Sequence, residues 1–149
     1  MKHKVQYYET DMMGVAHHAN YIHWMEEARI DFMDRIGFPY KRMEAEGVVS
    51  PVKSIHVSYL KPCSFGDEVE ITVGVLDFNG VVITLTYDMR LNGEQIFTGT
   101  SEHVFLDRGG RFVRMKRVMP EFCEAVERQK KARKTDLPGD GLHRDYSTV

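Results

Sequence analysis

The residues with the most chemical potential crowd into one stretch, Tyr7-Tyr8-Glu9-Thr10-Asp11-Met12-Met13-Gly14-Val15-Ala16-His17-His18-Ala19-Asn20-Tyr21. It carries a carboxylate, Asp11, just ahead of a long helical pattern. The first N–H groups of a helix have no intrahelical acceptor and sit at its electropositive end, so an anion or a developing oxyanion is stabilised there. An aspartate with its ordinary pKa of about 3.9 is ionised at neutral pH without help from a base, so Asp11 can attack an electrophile or activate a water molecule. The competing reading of Asp11 is a simple capping or turn residue. His17 and His18 are adjacent, do not share a helix face and have no further ligand set around them, so no metal site is expected. Gly99-Thr100-Ser101-Glu102-His103 lacks the final glycine of a nucleophile elbow and lies in a strand pattern. Cys63 and Cys123 stand far apart without a CxxC spacing and read as reduced thiols.

These residues need elements to hold them. Val5 to Thr10, rich in tyrosine and valine, predicts a first strand that ends at Asp11. Strand alternation would turn Tyr7 and Tyr8 to opposite sides, so that one of them borders the site. A helix is predicted near residues 18–36: at 100° per residue, Trp24, Ala28, Tyr21, Phe32, Met25, Ile36, Ile22 and Met33 cover roughly half its circumference. Glu26, His23, Asp34, Glu27 and Asp31 take the other half, and Ile30 is a misfit. An apolar arc that wide suits a helix embraced by a curved sheet. Arg29 falls inside the arc, where an unpaired charge is costly, and Glu26 one turn back is its expected partner. Gly37 and Pro39 then stop the helix.

From about Val52 the period changes to two. Val81, Ile83, Leu85, Tyr87, Met89 and Leu91 alternate with Thr84, Thr86, Asp88 and Arg90, the pattern of a half-buried strand. Asn79-Gly80 and Asn92-Gly93 sit between alternating runs, where type I′ turns need positive φ. The expected meander has long antiparallel strands near 68–78, 81–91 and 94–106, one before it near 52–60, and a short one at Arg111 to Arg114 after the Gly109-Gly110 turn. Pro120 opens an amphipathic helix to about Arg133, with Phe122, Cys123 and Val126 inward. The result is an α+β architecture of a long central helix wrapped by a five- or six-stranded antiparallel sheet, plus a C-terminal helix. Residues 1–134 form the domain, and 135–149 read as a flexible tail.

The 149 residues suit a single core. With 42% hydrophobic and 28% charged residues, the composition is that of a globular chain and neither a disordered nor a membrane one. No apolar run approaches the roughly 20 residues that cross a bilayer, and the start lacks the apolar stretch of a secretory signal, so a cytoplasmic location is expected. A formal net charge of −2 argues against a dedicated nucleic-acid binder.

The pattern Tyr7-x-x-Thr10-Asp11-x-x-Gly14-x-x-His17-His18-x-Asn20-Tyr21, followed by Trp24-x-Glu26-x-x-Arg29, resembles the signature of hotdog-fold acyl-CoA thioesterases of the 4-hydroxybenzoyl-CoA thioesterase type. The run Tyr59-Leu60-Lys61-Pro62, then Phe65-Gly66-Asp67, is similar to the next strand and turn of that family, and the resemblance spans roughly residues 4–130. It implies that Asp11 is nucleophile or general base and that the His18 backbone N–H polarises the thioester carbonyl. The His18 imidazole would position substrate or water, although some members carry tyrosine there. Substrate-contact candidates are Tyr7, Gly14 and Val15, with Lys61 and Arg108 for the phosphates of coenzyme A. Arg108 belongs to a segment with five basic residues in ten, Arg108 to Arg117, which reads equally well as a solvated hairpin. The resemblance further implies a homodimer or homotetramer with acyl-CoA across the subunit interface. The chemistry is coherent on its own terms. A thiol leaving group with a pKa of about 8.5 departs as thiolate with little need for a general acid, so a carboxylate and an oxyanion hole suffice without metal or cofactor. The rivals are an acyl-ACP thioesterase and a non-catalytic acyl-CoA-binding protein.

Overall fold

A computed structural model describes residues 1–136, with side chains as far as Ala132. Its long helix, α1, spans His18–Arg35 and buries Tyr21, Trp24, Met25, Ala28, Arg29, Phe32 and Met33, close to the arc the sequence predicts. Ile30 stays exposed, as a misfit should. The helix ends in a Schellman arrangement. Gly37, at φ 90°, donates to the Asp34 carbonyl at 3.1 Å and Phe38 to the Met33 carbonyl at 2.9 Å.

Around α1 lies one antiparallel sheet of five strands: β1 (Lys2–Lys4), β2 (Val52–Tyr59), β3 (Glu68–Phe78), β4 (Val82–Leu91) and β5 (Glu94–Val104), in the order β1-β3-β4-β5-β2. Hairpin connections make β3, β4 and β5 neighbours, with Val73 opposite Tyr87 and Tyr87 opposite Gly99. β2 pairs with β5, Val57 opposite Gly99, and so becomes an edge strand. Three shorter helices are found among the described residues: α2 (Tyr40–Ala45), α3 (Met115–Val118) and α4 (Pro120–Asp136). α4 turns Phe122, Cys123 and Val126 inward as expected. Phe122 meets the rings of Phe38, Phe78 and Phe105 edge-on, with centroids 5.3, 5.7 and 5.4 Å away. Such pairs each add about 0.5–1.5 kcal/mol to the burial of apolar area. Among the described residues no helix is long and apolar enough to cross a membrane.

Four expectations change. The first strand is only Lys2–Lys4; Tyr7–Glu9 instead form a 3₁₀ turn, because the Glu9 and Thr10 amides close back on the carbonyls of Gln6 and Tyr7. Arg111 to Arg114 contribute a single bridge, Leu106 to Phe112, and no strand, since Asp107 draws the Gly109 and Arg111 amides into a tight turn. Only Asn92-Gly93 has both residues at positive φ, 52° and 82°. At the other dipeptide Gly80 alone does, while the Asn79 side chain takes the amides of Val81 and Val82. Finally, Thr135 and Asp136 are still helical, and the rest of the expected tail lies outside the described residues.

Candidate active site

The stretch from Glu9 to His17 folds back on itself as a miniature hairpin. Thr10 bridges Ala16, the Asp11 amide donates to the Val15 carbonyl at 2.9 Å, and the His17 amide donates to the Glu9 carbonyl at 2.8 Å. Its tip is held by an Asx turn in which Asp11 Oδ1 accepts the Met13 amide at 2.8 Å, and by Gly14 at φ 78°. Gly14 supplies a left-handed conformation that a residue with a Cβ adopts only at a cost. The hairpin delivers the chain directly to the start of α1.

At that start the amides are unequally occupied. His17 Nδ1 accepts the Ala19 amide at 3.2 Å, and the Asn20 amide returns to the His17 carbonyl at 3.0 Å. Among the described residues the His18 amide has no acceptor, and neither does Asp11 Oδ2 have a donor. Two loose ends of opposite character, a carboxylate oxygen and a helix-terminal N–H, therefore lie on the same short hairpin-to-helix junction.

A second segment, Tyr59 to Asp67, runs beside the first. The Ala16 amide donates to the Cys63 carbonyl at 2.8 Å, Val15 bridges Ser64, and the Tyr59 hydroxyl donates to the His18 carbonyl at 2.9 Å. Burial raises the Tyr59 phenol, and burial likewise raises the Cys63 thiol, whose Sγ lies 3.2 Å from the Tyr21 hydroxyl. Neither group is therefore prepared as a nucleophile. Around the junction the surface is apolar: Tyr7, Tyr8, Met12, Met13, Tyr59, Leu60 and Phe65 are all exposed, Met12 completely. Clustered exposed apolar side chains mark binding surfaces.

The structure thus places Asp11, Gly14 and Val15 on one hairpin whose chain runs on to His18 at the first residue of α1. Tyr7 stands at the margin, 75% exposed and edge-on to Phe65 at 5.8 Å; Tyr8 is 84% exposed, so the 3₁₀ turn, unlike a strand, leaves both rings outside. Lys61 is on the neighbouring segment with its ammonium paired to Glu94. Arg108 is not brought to Asp11 within one chain. Tyr59 packs on Phe97 near the start of β5, whereas Arg108 follows the far end of that strand and donates to the Glu44 carbonyl at 3.2 Å.

Two features escape the sequence reading. Arg29 does not pair with Glu26: its Nη1 donates to His103 Nδ1 at 2.7 Å, across the core. Since a guanidinium cannot accept, His103 carries its proton on Nε2, which donates to Ser101 Oγ at 2.6 Å, and that hydroxyl meets Tyr87 Oη at 2.8 Å. Burial and the Arg29 charge push His103 down to about 3, and burial lifts the Tyr87 phenol to about 12. The second feature is Glu9, only 5% exposed, whose carboxylate takes three donors. Its glutamate type suggests solvent; its position three residues after Gln6 in a tight turn is the only local hint of burial.

Residues 5–140 match the sequence profile described as the thioesterase-like superfamily. The chain belongs to that superfamily. A protein of Bacillus subtilis (strain 168), provisionally named acyl-CoA thioesterase YneP, is 35% identical over 130 residues, which cover 86% of this chain and 94% of its own. The acyl-CoA thioester hydrolase YbgC of Escherichia coli O157:H7 is 28% identical over 99 residues, 66% of this chain and 73% of its own. The crystal structure of DHNA-CoA thioesterase from Staphylococcus aureus superposes with a TM-score of 0.85 at 28% identity, covering 93% of this chain and 94% of that one. The wrapped-helix architecture is accordingly the hotdog fold, and the chain is a thioester hydrolase of this superfamily.

Proposed function

We propose that the protein hydrolyses acyl-CoA thioesters to a free carboxylic acid and coenzyme A, with Asp11 as the reacting carboxylate and the His18 amide as oxyanion donor. The observation that carries this reading is the pairing of an unengaged Asp11 Oδ2 with an unengaged His18 N–H at one junction. Its substrate class rests on the relatives, two of which carry acyl-CoA in their names. In the direct route, Asp11 Oδ2 bonds to the thioester carbon while the oxyanion is held by the His18 N–H. The C–S bond breaks with the electron pair leaving on sulfur, and water then hydrolyses the mixed anhydride. In the alternative route the same oxygen takes a proton from an attacking water. The His18 imidazole, exposed and stacked on His17 at 4.2 Å, is available to orient substrate or that water. Neither route calls on a metal or redox cofactor, because thiolate is a competent leaving group.

Tyr7, Gly14 and Val15 are proposed to line the thioester and its acyl group, with Lys61 and Arg108 serving the coenzyme A phosphates. For Arg108 that role requires a second copy of the chain, because within one copy it lies at the opposite end of β5. We accordingly propose at least a homodimer in which a second copy covers the open edge of β2 and the exposed apolar residues at the junction. The test is a panel of short, medium, long and aromatic acyl-CoA esters with free-thiol detection, run on the wild type and Asp11→Asn. Thiol release by the wild type alone supports the reading. Tight acyl-CoA binding without thiol release would convert the assignment to a carrier or binding protein, and faster release from acyl-ACP esters would change the carrier.

A further inference from the structure

Glu9 is the hinge point of the whole junction. Its carboxylate is buried, and Oε1 accepts the Gln6 amide at 2.8 Å and faces His3 Nε2 at 2.7 Å, while Oε2 accepts the indole N–H of Trp24, in the second turn of α1, at 2.6 Å. Its main-chain carbonyl accepts two more donors, the His17 amide at 2.8 Å and the Asn20 side-chain amide, also at 2.8 Å. The His3 ring lies against the Trp24 indole with centroids 4.7 Å apart, and its other nitrogen is 3.4 Å from Glu27. One residue thus joins four parts of the chain: β1, the 3₁₀ turn, the base of the Asp11 hairpin and the buried face of α1.

We infer that Glu9 is a positioning residue, which sets the Asp11 hairpin against the N-terminus of α1 so that the carboxylate addresses the carbon, and the helix amide the oxygen, of one thioester carbonyl. The inference rests on the reading of Asp11 and His18 given above, and adds to it the group that fixes their mutual geometry. Among the described residues Asp11 and His18 have few anchors of their own: Asp11 bonds within the hairpin, to Met13, Gly14 and Val15, and the Tyr59 hydroxyl reaches the His18 carbonyl from outside the helix. Glu9 grips both sides of the junction, Trp24 and Asn20 on the helix and His17 at the hairpin's closing pair. It also consumes the His17 N–H, which leaves the next amide, that of His18, as the one presented outward. A carboxylate suits the position because it is acceptor-only on both oxygens; an amide in its place would turn an NH₂ group toward donors. Burial raises the Glu9 pKa, but the bonds from Gln6, His3 and Trp24 outweigh it and leave the group below its ordinary value, charged at any working pH.

Trp24 is the single tryptophan of the chain, so its indole gives one ¹⁵N–¹H resonance, from the N–H that donates to Glu9. In Glu9→Gln the inference expects kcat to fall about 30- to 100-fold with KM within about twofold, since misplacing reacting groups by about 1 Å costs on that order. The indole proton should move upfield in the same variant. Met119→Ala, a buried change between α3 and α4 with no bond to the residues of the junction, provides a destabilised control that should keep its kcat. Asn20→Ala, a partly exposed first-turn change that removes one bond to the Glu9 carbonyl, should lower kcat about three- to tenfold and decides the matter if Glu9→Gln does not fold. A Glu9→Gln kcat within threefold of wild type, a loss no larger than that of Met119→Ala at equal Tm, or an Asn20→Ala enzyme of wild-type kcat would overturn the inference. Asp11→Asn separates the two levels. If it retains turnover, the reading of the site fails; if it is inactive while Glu9→Gln is not, only the positioning role fails.

Discussion

Two charged groups are buried along α1, and they are used differently. Glu9, near the helix start, takes donors from His3, Gln6 and Trp24 on its carboxylate while its carbonyl holds the His17 and Asn20 amides, so its bonds run out to the segment that leads to the His18 amide, without an acceptor among the described residues. Arg29, three turns further on, donates to His103, which continues to Ser101 and Tyr87, and every one of those partners lies inside the sheet. The first cluster ties the Asp11 hairpin to a rigid element; the second ties the rigid elements to one another. Burial and charge alone do not distinguish a site from a staple. What distinguishes them is whether the network terminates in groups that still have a free hydrogen-bonding position.

The comparison can be broken most sharply at the surface end. Asp11→Asn should lower thiol release about a thousandfold or more while leaving Tm within a few degrees, because the Asn side chain can still accept the Met13 amide. Circular dichroism melts and a thiol assay check both halves. At the inner end the pattern should invert: His103→Leu leaves the Arg29 guanidinium without its acceptor and should cost about 2–3 kcal/mol, roughly 4–12 °C in Tm, with kcat of the folded enzyme almost unchanged. Acid separates the clusters again. His103 is held at about 3 against an ordinary 6.5, so the unfolded chain binds a proton there that the folded chain refuses, and stability should decline as pH falls from 6.5 toward 3. Glu9 is lowered from 4.5, so its contribution is complete above that pH and is lost only as pH falls below it. Urea titrations at several pH values should therefore show His103→Leu flattening the whole decline and Glu9→Gln only its acid end. The smallest effect belongs to Tyr40, whose buried hydroxyl has no partner among the described residues and whose ring lies beside Arg29; Tyr40→Phe should raise stability by about 1 kcal/mol and leave turnover alone.

Much of this is legible from residue order because it is periodic. The arc of α1 and the alternation of β3 to β5 follow from spacing, and the resemblance around Asp11 marked the segment just before α1 as the candidate site, although as the end of a strand and not as a hairpin. The failures have two causes: local side-chain and turn bonds reshape Val5 to Thr10, Asn79-Gly80 and the segment after Asp107, whereas Arg29 needed a partner distant in sequence. Val5 to Thr10 has strand-forming residues, but the Glu9 carboxylate and Asn20 bend it into a turn. Arg29 looked for a local carboxylate and found an imidazole 74 residues away. A signal for that was present, since Ser101 and His103 sit two apart and so face the same side of β5, both buried beneath α1 and the sheet. Arg108 looked like a phosphate ligand by composition, and only the register of β5 shows which end of the sheet it occupies.

The Tyr59 hydroxyl gives the edge of the sheet a mechanical line to the chemistry. β2 is an outermost strand, and its last residue holds the first carbonyl of α1. A displacement of that border strand is therefore transmitted through one hydroxyl to the peptide that opens α1, next to the His18 amide.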